Sequence, residues 1–226
     1  MMERIPEPEL MNDPAQARAY AAADFSEPHS RFVGLFAERC GAVPPGGRVL
    51  DLGCGPADIS IRFARAYPGV EVHGLDGAAA MLREGERLLA EAGLAHRVRL
   101  VHGVLPGCRP PAPPYDALIS NSLLHHLPEP QTLWEALRRW GRPDAAVFVM
   151  DLLRPASRQE AQRLVDRYAA DEPEILRRDF FHSLLAAWRP AEVREQLRQA
   201  GLAHLSVEQV SDRHFIVYGA LAAGER

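Results

Sequence analysis

The sequence predicts an α/β fold in which a mostly parallel β-sheet carries helices on both faces. Short, continuously apolar segments recur along the chain, as expected for strands that are buried on both sides. Segments with helical periodicity separate them, and this βαβα rhythm is typical of a parallel sheet. The length of 226 residues, 47% hydrophobic and 25% charged, suits one globular domain with embellishments.

The N-terminal part of the chain precedes this alternation. Residues 1–13 are polar, and we expect them to be flexible. Two helices are predicted over residues 14–40, broken near the sequence SEPH, and the second carries an apolar stripe. The sequence VPPGG then predicts a turn into the first strand.

Strands and helices alternate from that turn onwards. The five predicted strands are residues 48–52, 70–75, 97–102, 115–121 and 145–151. The predicted helices between them are residues 59–67, 78–92 and 129–140. The sequence PGCRPPAPP before the fourth strand is predicted to be a loop.

The last third of the chain departs from this rhythm. Residues 154–189 contain two apolar stripes, which predict two helices inserted after the fifth strand. A helix over residues 190–200 follows. Two further strands joined by the sequence SDR predict a terminal hairpin.

The composition excludes several classes of protein. The chain contains no lysine, which removes P-loop kinases and Schiff-base enzymes. A formal net charge of -4 gives no basic excess for a nucleic-acid surface. The three cysteines are scattered without a CxxC pair, so we expect no metal site and reduced thiols in a cytoplasmic protein. No apolar run approaches the ~18–20 residues of a membrane span.

The sequence VLDLGCGPAD runs from the first strand into a glycine loop. Ligands of open parallel sheets bind beyond the carboxyl ends of the strands. Gly53 and Gly55 match the first two glycines of the dinucleotide fingerprint, but Asp58 occupies the third position, where a pyrophosphate would meet an anion. The loop therefore favours a ligand without phosphates, and Asp51 and Asp58 favour one with positive charge.

S-adenosylmethionine is such a ligand, and here the sequence resembles a known family. VLDLGCGPADIS resembles motif I of the class I S-adenosylmethionine-dependent methyltransferases, and VEVHGLDGAAAML resembles their second strand and acidic turn. YDALISNSLLHHLPE and AAVFVMDLLRP resemble the fourth and fifth strands with their following loops. The resemblance runs from about residue 30 to 221. It implies a doubly wound, seven-stranded sheet with strand order 3-2-1-4-5-7-6, ending in an antiparallel hairpin.

The resemblance also divides the single domain, residues 1–226, into functional parts. We expect lid helices in residues 1–43 and a cofactor-binding half in residues 44–153. Residues 154–189 would cap the substrate, and residues 190–226 would form the last helix and the terminal hairpin. A bacterial, cytoplasmic enzyme is expected.

Each predicted cofactor contact takes its role from the family. Gly53 and Gly55 would let the backbone approach the methionine part of the cofactor, and Asp51 would accept from its ammonium group. Asp76 would bind the two ribose hydroxyls, because a carboxylate can accept both hydrogen bonds. The other predicted contacts, which include the adenine site, are Asp58, Gly77, Met81, Gly103, Val104 and Asn121.

Two positions depart from the family pattern. Val104 stands where many members place an acidic residue, so the adenine site would depend on backbone contacts. Ala57 stands where a third glycine is frequent, although we expect the loop to turn because Pro56 precedes it.

The acceptor side is less defined, because methyl transfer needs mainly alignment and exclusion of water. His125 is the candidate general base, since histidine titrates near neutral pH, and the alternative is a role in shaping the loop. The candidate substrate contacts are Tyr20, Phe25, His29, Ser122, His126, Asp151, Arg154, Phe181 and Trp188. For the aromatic candidates, core packing is the alternative.

The leading hypothesis is methyl transfer to a small molecule, with S-adenosylhomocysteine as product. After the fourth strand, where amino-methylating nucleic-acid enzymes carry a Pro-Pro-aromatic signature, this chain has NSLLHH, and Cys108 follows Gly107 where C5-methylating enzymes have a Pro-Cys nucleophile. An RNA target stays open because a local arginine face would be enough. Further alternatives are a carboxy-S-adenosylmethionine synthase-like enzyme that remakes the cofactor, a non-enzymatic scaffold, and a nicotinamide dehydrogenase, which Asp58 disfavours. The acceptor atom and the choice between monomer and homodimer stay open.

Overall fold

The computed structural model describes residues 2–7 and 10–222, and its centre is one seven-stranded sheet. The strands are β1 (Arg48–Leu52), β2 (Glu71–Asp76), β3 (Val98–His102), β4 (Tyr115–Asn121), β5 (Gly141–Leu152), β6 (Ser206–Gln209) and β7 (His214–Ala220). Their order is β3-β2-β1-β4-β5-β7-β6. The first five strands are parallel, and β7 runs antiparallel to both of its neighbours. The predicted fold class and strand order are confirmed.

Eight α-helices surround the sheet in the described part of the chain. They are α1 (Pro14–Ala22), α2 (Ser26–Cys40), α3 (Asp58–Ala66), α4 (Ala79–Ala92), α5 (Gln131–Trp140), α6 (Arg158–Tyr168), α7 (Glu174–Ala186) and α8 (Pro190–Gln199). A short 3-10 helix, Leu124–His126, follows β4. The two helices predicted within residues 154–189 correspond to α6 and α7. Among the described residues, no helix is both long and apolar enough to cross a membrane.

The sheet has a hydrophobic core on each face, because successive side chains of its buried strands alternate between the faces. Leu50 packs with Trp134 of α5 and Leu197 of α8 on one face. Val49 packs with Phe32 of α2 on the other. Both layers leave the loops after β1, β4 and β5 at one edge of the sheet, where ligands of such folds bind.

The N-terminal segment differs from the expectation that residues 1–13 are flexible. Residues 2–7, which we call the N-terminal strap, lie along the molecule and form specific contacts; residues 1, 8 and 9 lie outside the described part. Arg4 donates from Nε to the carbonyl of Ala186 at 2.6 Å and from Nη2 to the carbonyl of His125 at 2.9 Å. Its guanidinium carbon lies 4.1 Å from the ring centroid of Trp188. A polar composition therefore reflects buried polar partners here and not flexibility.

Candidate active site

A cavity of about 230 Å³ lies over the carboxyl ends of β1 and β4. Its walls come from the loop after β1, from α3, and from α1 and α2. Among the predicted site residues it brings together Tyr20, Phe25, His29, Asp51, Gly53, Gly55, Asp58 and Asn121.

The loop after β1 is shaped by residues with positive φ. Gly53 has φ +72°, and a Cβ there would lie 2.9 Å from Cβ of Leu123, so the position has no room for a side chain. Gly55 has φ +52°, and a Cβ there would meet nothing within 4 Å, which leaves its backbone open to a ligand. Ala57 adopts φ 67° without being glycine, and its N–H donates to the carbonyl of Cys54 at 2.9 Å. The loop turns as predicted.

Asp76 joins the end of β2 to this glycine loop. Its Oδ2 accepts from the backbone N–H of Gly55 at 2.8 Å, and its Oδ1 accepts from the N–H of Ala78 at 2.7 Å. Burial raises the pKa of the Asp76 carboxyl above its usual range. Each oxygen retains a further lone pair, so the carboxylate can still accept from a ligand diol.

Asp51 is a buried carboxylate under the same loop. Its Oδ2 accepts from Oγ of Ser60 at 2.6 Å. Burial, opposed by this hydrogen bond, raises the pKa of Asp51 to about 7, and the negative charge of Asp76 adds to the rise. Because a cation beside the carboxyl would reverse that effect, the pair Asp51 and Asp76 favours a positively charged ligand.

Asp58, at the start of α3, connects this helix to α2. Its Oδ2 accepts from Nδ1 of His29 at 2.6 Å and from Nε of Arg62 at 2.7 Å. Arg62 also donates to Oγ of Ser30 at 2.9 Å. Burial would raise the pKa of Asp58, but His29 and Arg62 outweigh it and the pKa is lowered. Asp58 is therefore an ionised link between α3 and α2 as well as part of the cavity wall.

The residues predicted for the ribose and the adenine do not line this cavity. They are Asp76, Gly77, Met81, Gly103 and Val104. Met81 is buried in a small cluster with residues of α1. A Cβ on Gly77 would lie 3.3 Å from Val104 and 3.4 Å from Leu10, so the segment before α1 covers this region.

His125 and Asp151 form a buried pair at the ends of β4 and β5. Asp151 Oδ1 accepts from His125 Nδ1 at 2.6 Å, and Oδ2 accepts from the N–H of Leu124 at 2.7 Å. An ionised carboxylate only accepts, so the imidazole hydrogen is on Nδ1 and Nε2 is left as the acceptor. Burial alone would lower the pKa of His125, but the charge and hydrogen bond of Asp151 outweigh it and raise the pKa.

A second pair, which sequence reasoning missed, stands beside the first. His126 Nδ1 lies 2.6 Å from Oε2 of Glu7 in the N-terminal strap, and Oε1 of Glu7 accepts from Oγ of Ser183 at 2.6 Å. Burial would raise the pKa of Glu7, but His126 lowers it to about 2. Glu7, His125 and His126 offer ligand-type atoms within 4.8 Å of one another, a geometry that could hold a metal ion. No motif in the polar N-terminal sequence indicated Glu7.

The remaining predicted substrate contacts occupy varied positions. Ser122, with φ 56°, follows Asn121 directly. Arg154 is buried: it pairs with Glu192, and its Nε has no hydrogen-bond partner among the described residues. Phe181 packs in the core formed by the inserted helices, which agrees with its core alternative. Trp188 lies under Arg4, and its Nε1 donates to the carbonyl of Leu124 at 3.4 Å.

Comparisons with known proteins place this geometry in a family. Residues 49–144 match a family model described as a methyltransferase domain. An uncharacterised methyltransferase of Mycobacterium bovis is 28% identical over 150 residues, covering 66% of this chain and 73% of that protein. An S-adenosylmethionine-dependent methyltransferase from Aquifex aeolicus has the same fold, with a TM-score of 0.68 and 18% identity over 93% of this chain and 99% of that one. The chain therefore carries a methyltransferase domain over residues 49–144, and its fold is that of S-adenosylmethionine-dependent methyltransferases.

A second relative of this methyltransferase carries a specific name. A demethylmenaquinone methyltransferase of Anoxybacillus flavithermus is 33% identical over 114 residues, covering 50% of this chain. The match spans 48% of that relative, about half of its length. A solved structure of the same fold, the plantazolicin methyltransferase BpumL, holds S-adenosylhomocysteine, with a TM-score of 0.68 and 12% identity over 91% of this chain and 90% of that one. In the present chain, the open loop at Gly55 and the two carboxyls of raised pKa, Asp51 and Asp76, fit the cationic cofactor S-adenosylmethionine.

Proposed function

We propose that the methyltransferase transfers the methyl group to a small-molecule acceptor bound beside the carboxyl ends of β4 and β5. One observation carries the proposal: a single cavity joins the glycine loop and Asn121 to residues of α1 and α2. A small acceptor enclosed there would be held near the cofactor and away from water. The name of the Anoxybacillus flavithermus relative, a demethylmenaquinone methyltransferase, supports a small-molecule acceptor.

The cofactor-binding roles follow from the carboxylates and the loop. When bound, S-adenosylmethionine supplies an electrophilic methyl group with its own leaving group. Asp76 accepts from the ribose hydroxyls, Asp51 faces the ammonium group, and Gly53 and Gly55 let the backbone approach. Gly77, Met81, Gly103 and Val104 form the adenine side once the segment that covers them has moved. The α2 link through Asp58 keeps the lid over the reactants.

We assign His125 as the general base for the acceptor. Asp151 fixes the ring by its hydrogen bond to Nδ1, so that Nε2 can take the proton of an acceptor hydroxyl or amine. The buried carboxylate then stabilises the imidazolium that forms. The ring centroid of His126 lies 4.1 Å from that of His125, and we assign His126, with Ser122, Arg154 and Trp188, to acceptor binding.

A panel of small hydroxyl, amine and carboxylic acceptors, scored by release of S-adenosylhomocysteine, tests the proposal. With an acceptor found in this way, His125→Ala should lower kcat by roughly 10²–10⁴-fold while S-adenosylhomocysteine still binds. The exposed His96 provides a matched control, and His96→Ala should leave kcat unchanged. Full activity in His125→Ala would exclude the base assignment. If no small acceptor in the panel leads to release of S-adenosylhomocysteine, the proposed function is contradicted.

A further inference from the structure

A second cavity, of about 200 Å³, lies beside the first, between the start of α2, the end of α6 and the turn before β7. No lining residue is common to the two cavities, but neighbouring residues contribute to each of them. On α2, Ser26 lines the first cavity and Glu27 the second. At the sheet edge, Asn121 of β4 lines the first and pairs with Met150 of β5, which lines the second. Neighbouring strands lie ~4.8 Å apart, so the second cavity begins one strand away from Asn121.

Two arginines contribute donors to this second cavity. Arg31 donates from Nη2 to the carbonyl of Val210, and no carboxylate of the described residues lies within salt-bridge distance of its guanidinium. Arg213 lies with its guanidinium carbon 3.4 Å from the ring centroid of Tyr168. A guanidinium held by one or two contacts keeps further N–H groups available, because it has five.

His214 adds a third donor. Oγ of Ser211 accepts from the backbone N–H groups of Arg213 at 3.2 Å and of His214 at 2.9 Å, which uses both of its lone pairs. Its own hydrogen therefore points to Nδ1 of His214, 3.2 Å away, and the imidazole carries its hydrogen on Nε2. Burial, together with Arg213 and Arg31, lowers the pKa of His214 to about 3. The ring stays neutral, and the positive potential that disfavours its protonation favours an anion.

The acidic residues of the wall do not cancel these donors. Asp212 Oδ2 accepts from the hydroxyl of Tyr168 at 2.7 Å and lies 3.5 Å from Nη1 of Arg167, and Oδ1 lies 3.2 Å from Nη1 of Arg213. Glu27 is exposed to solvent, one turn before Arg31. Asp212 therefore already has partners, and Arg31 and His214 keep donors that no carboxylate of the described residues accepts.

We propose that the second cavity binds a carboxylate group of the methyl acceptor through Arg31, Arg213 and His214. This inference rests on the proposed function, since it takes the acceptor to be a small molecule whose reactive atom lies near Asn121. A carboxylate fits because planar guanidinium groups bind it with two parallel hydrogen bonds. The lid helix α2 then contributes to both cavities and selects the acceptor while it encloses the cofactor.

Succinate and succinamide, which have similar size and differ in charge, test the site directly. Each is titrated into the protein loaded with S-adenosylhomocysteine, and the His214 ring is followed by NMR of histidine-labelled protein. Succinate should shift the His214 resonances, and Arg31→Gln should weaken its binding about tenfold or more. The matched control is Arg39→Gln, on the exposed part of the same helix and outside both cavities, which should bind succinate like the parent. Equal effects of succinamide, or unchanged succinate binding in Arg31→Gln, would overturn the proposal.

Turnover separates this inference from the function on which it rests. Carboxylic acceptors should react faster than their amides, and Arg31→Gln should raise KM for the acids with a smaller effect on kcat. Amides that react as well as acids in both proteins would overturn the carboxylate subsite and leave methyl transfer intact. If none of the small acceptors leads to release of S-adenosylhomocysteine, both the carboxylate subsite and the proposed function are overturned.

Discussion

At the residue scale, two carboxyl groups beside the glycine loop favour a cationic ligand. The buried Asp51 lies under the loop and the half-buried Asp76 beside it, and removal from water raises the pKa of both. Asp51 has Ser60 as a hydrogen-bond partner, a neutral group that does not balance its charge. A cation in the cavity is therefore more favourable than a phosphate.

Cofactor affinity should consequently depend on pH around the pKa of Asp51. That pKa is about 7 in the unliganded protein, and a bound cation lowers it, so S-adenosylmethionine binding releases a proton and strengthens as pH rises through 7. Calorimetry on both sides of pH 7 measures the change, and Asp51→Asn should flatten it. A flat profile in the parent protein would contradict the proposed ammonium contact.

The same shift has an opposite effect on the empty protein. The folded-state pKa of Asp51 lies above its ordinary value of 3.8, so the unfolded chain loses this proton at lower pH than the folded one. Asp51 therefore destabilises the unliganded protein as pH rises from about 4 to about 7. Ionisation of Asp51 thus lowers the free energy of unfolding of the empty protein, and we expect cofactor binding to raise it again.

Removal of the Asp76 carboxylate should weaken cofactor binding. We expect Asp76→Ala to cost ~1–3 kcal/mol of S-adenosylhomocysteine affinity, the range for a lost hydrogen bond to a charged group. Glu86→Ala, at an exposed position on α4, is the control and should bind normally. Titration calorimetry decides the matter, and an unchanged affinity in Asp76→Ala would disprove the ribose assignment.

At the element scale, the loop after β1 uses its two glycines for different purposes. Gly53 has φ +72° and no room for a Cβ beside Leu123, whereas the Cβ direction of Gly55 is open. The first glycine permits the fold of the loop, and the second leaves space on its surface. Substitution by alanine should separate these roles.

We expect Gly53→Ala to destabilise the protein by about 2 kcal/mol or more, because it adds a clash to a strained φ. Gly55→Ala should cost only about 1 kcal/mol of stability, from its φ alone, and should weaken cofactor binding more than this loss explains. Urea unfolding and calorimetry measure the two effects. Equal loss of stability in both variants would contradict the clash at Gly53, and unchanged cofactor affinity in Gly55→Ala would show that the open space at Gly55 is not the cofactor path.

The elements also show how far the sequence alone could lead. The sheet was predictable because its strands are continuous apolar segments, and the glycine loop was predictable from Gly53 and Gly55. The N-terminal strap was not, because Arg4 contacts a carbonyl 121 residues away and a polar segment carries no periodicity. The second cavity was missed for the same reason, since Arg31 and His214 come together only through the order of β5 and β7.

At the scale of the whole molecule, the cavity over β1 and β4 is small, since its volume of about 230 Å³ is below the ~300–1,000 Å³ of ligand pockets. Helix α2 is held by the His29 and Arg62 contacts to Asp58, and the segment before α1 covers Gly77. We therefore expect cofactor entry to move the first two helices, and we expect the bound cofactor to hold them in place.

Ligand binding should accordingly stabilise the entire fold. S-adenosylhomocysteine at about 100 times its Kd adds ~2.7 kcal/mol, which corresponds to a rise in Tm of roughly 5–10 °C for a chain of this size. Differential scanning calorimetry measures the shift, and Asp76→Ala at the same ligand concentration should show a smaller one. If S-adenosylhomocysteine leaves the Tm of the parent protein unchanged, the cavity over β1 and β4 does not take up this ligand.

The division of the site between the middle of the chain and its flanks has a consequence for kinship among these enzymes. The stretch that matches the family model, residues 49–144, holds Asp51 and Asp76, whereas Glu7, Arg31 and Asp151 lie outside it. Exchange of the flanks, which carry Arg31, Arg213 and His214, should therefore change how an acidic acceptor is held while Asp51 and Asp76 stay intact. Chimaeras that join the flanks of one homologue to the middle of another should keep cofactor binding from the middle and take their preference for an acidic acceptor from the flanks.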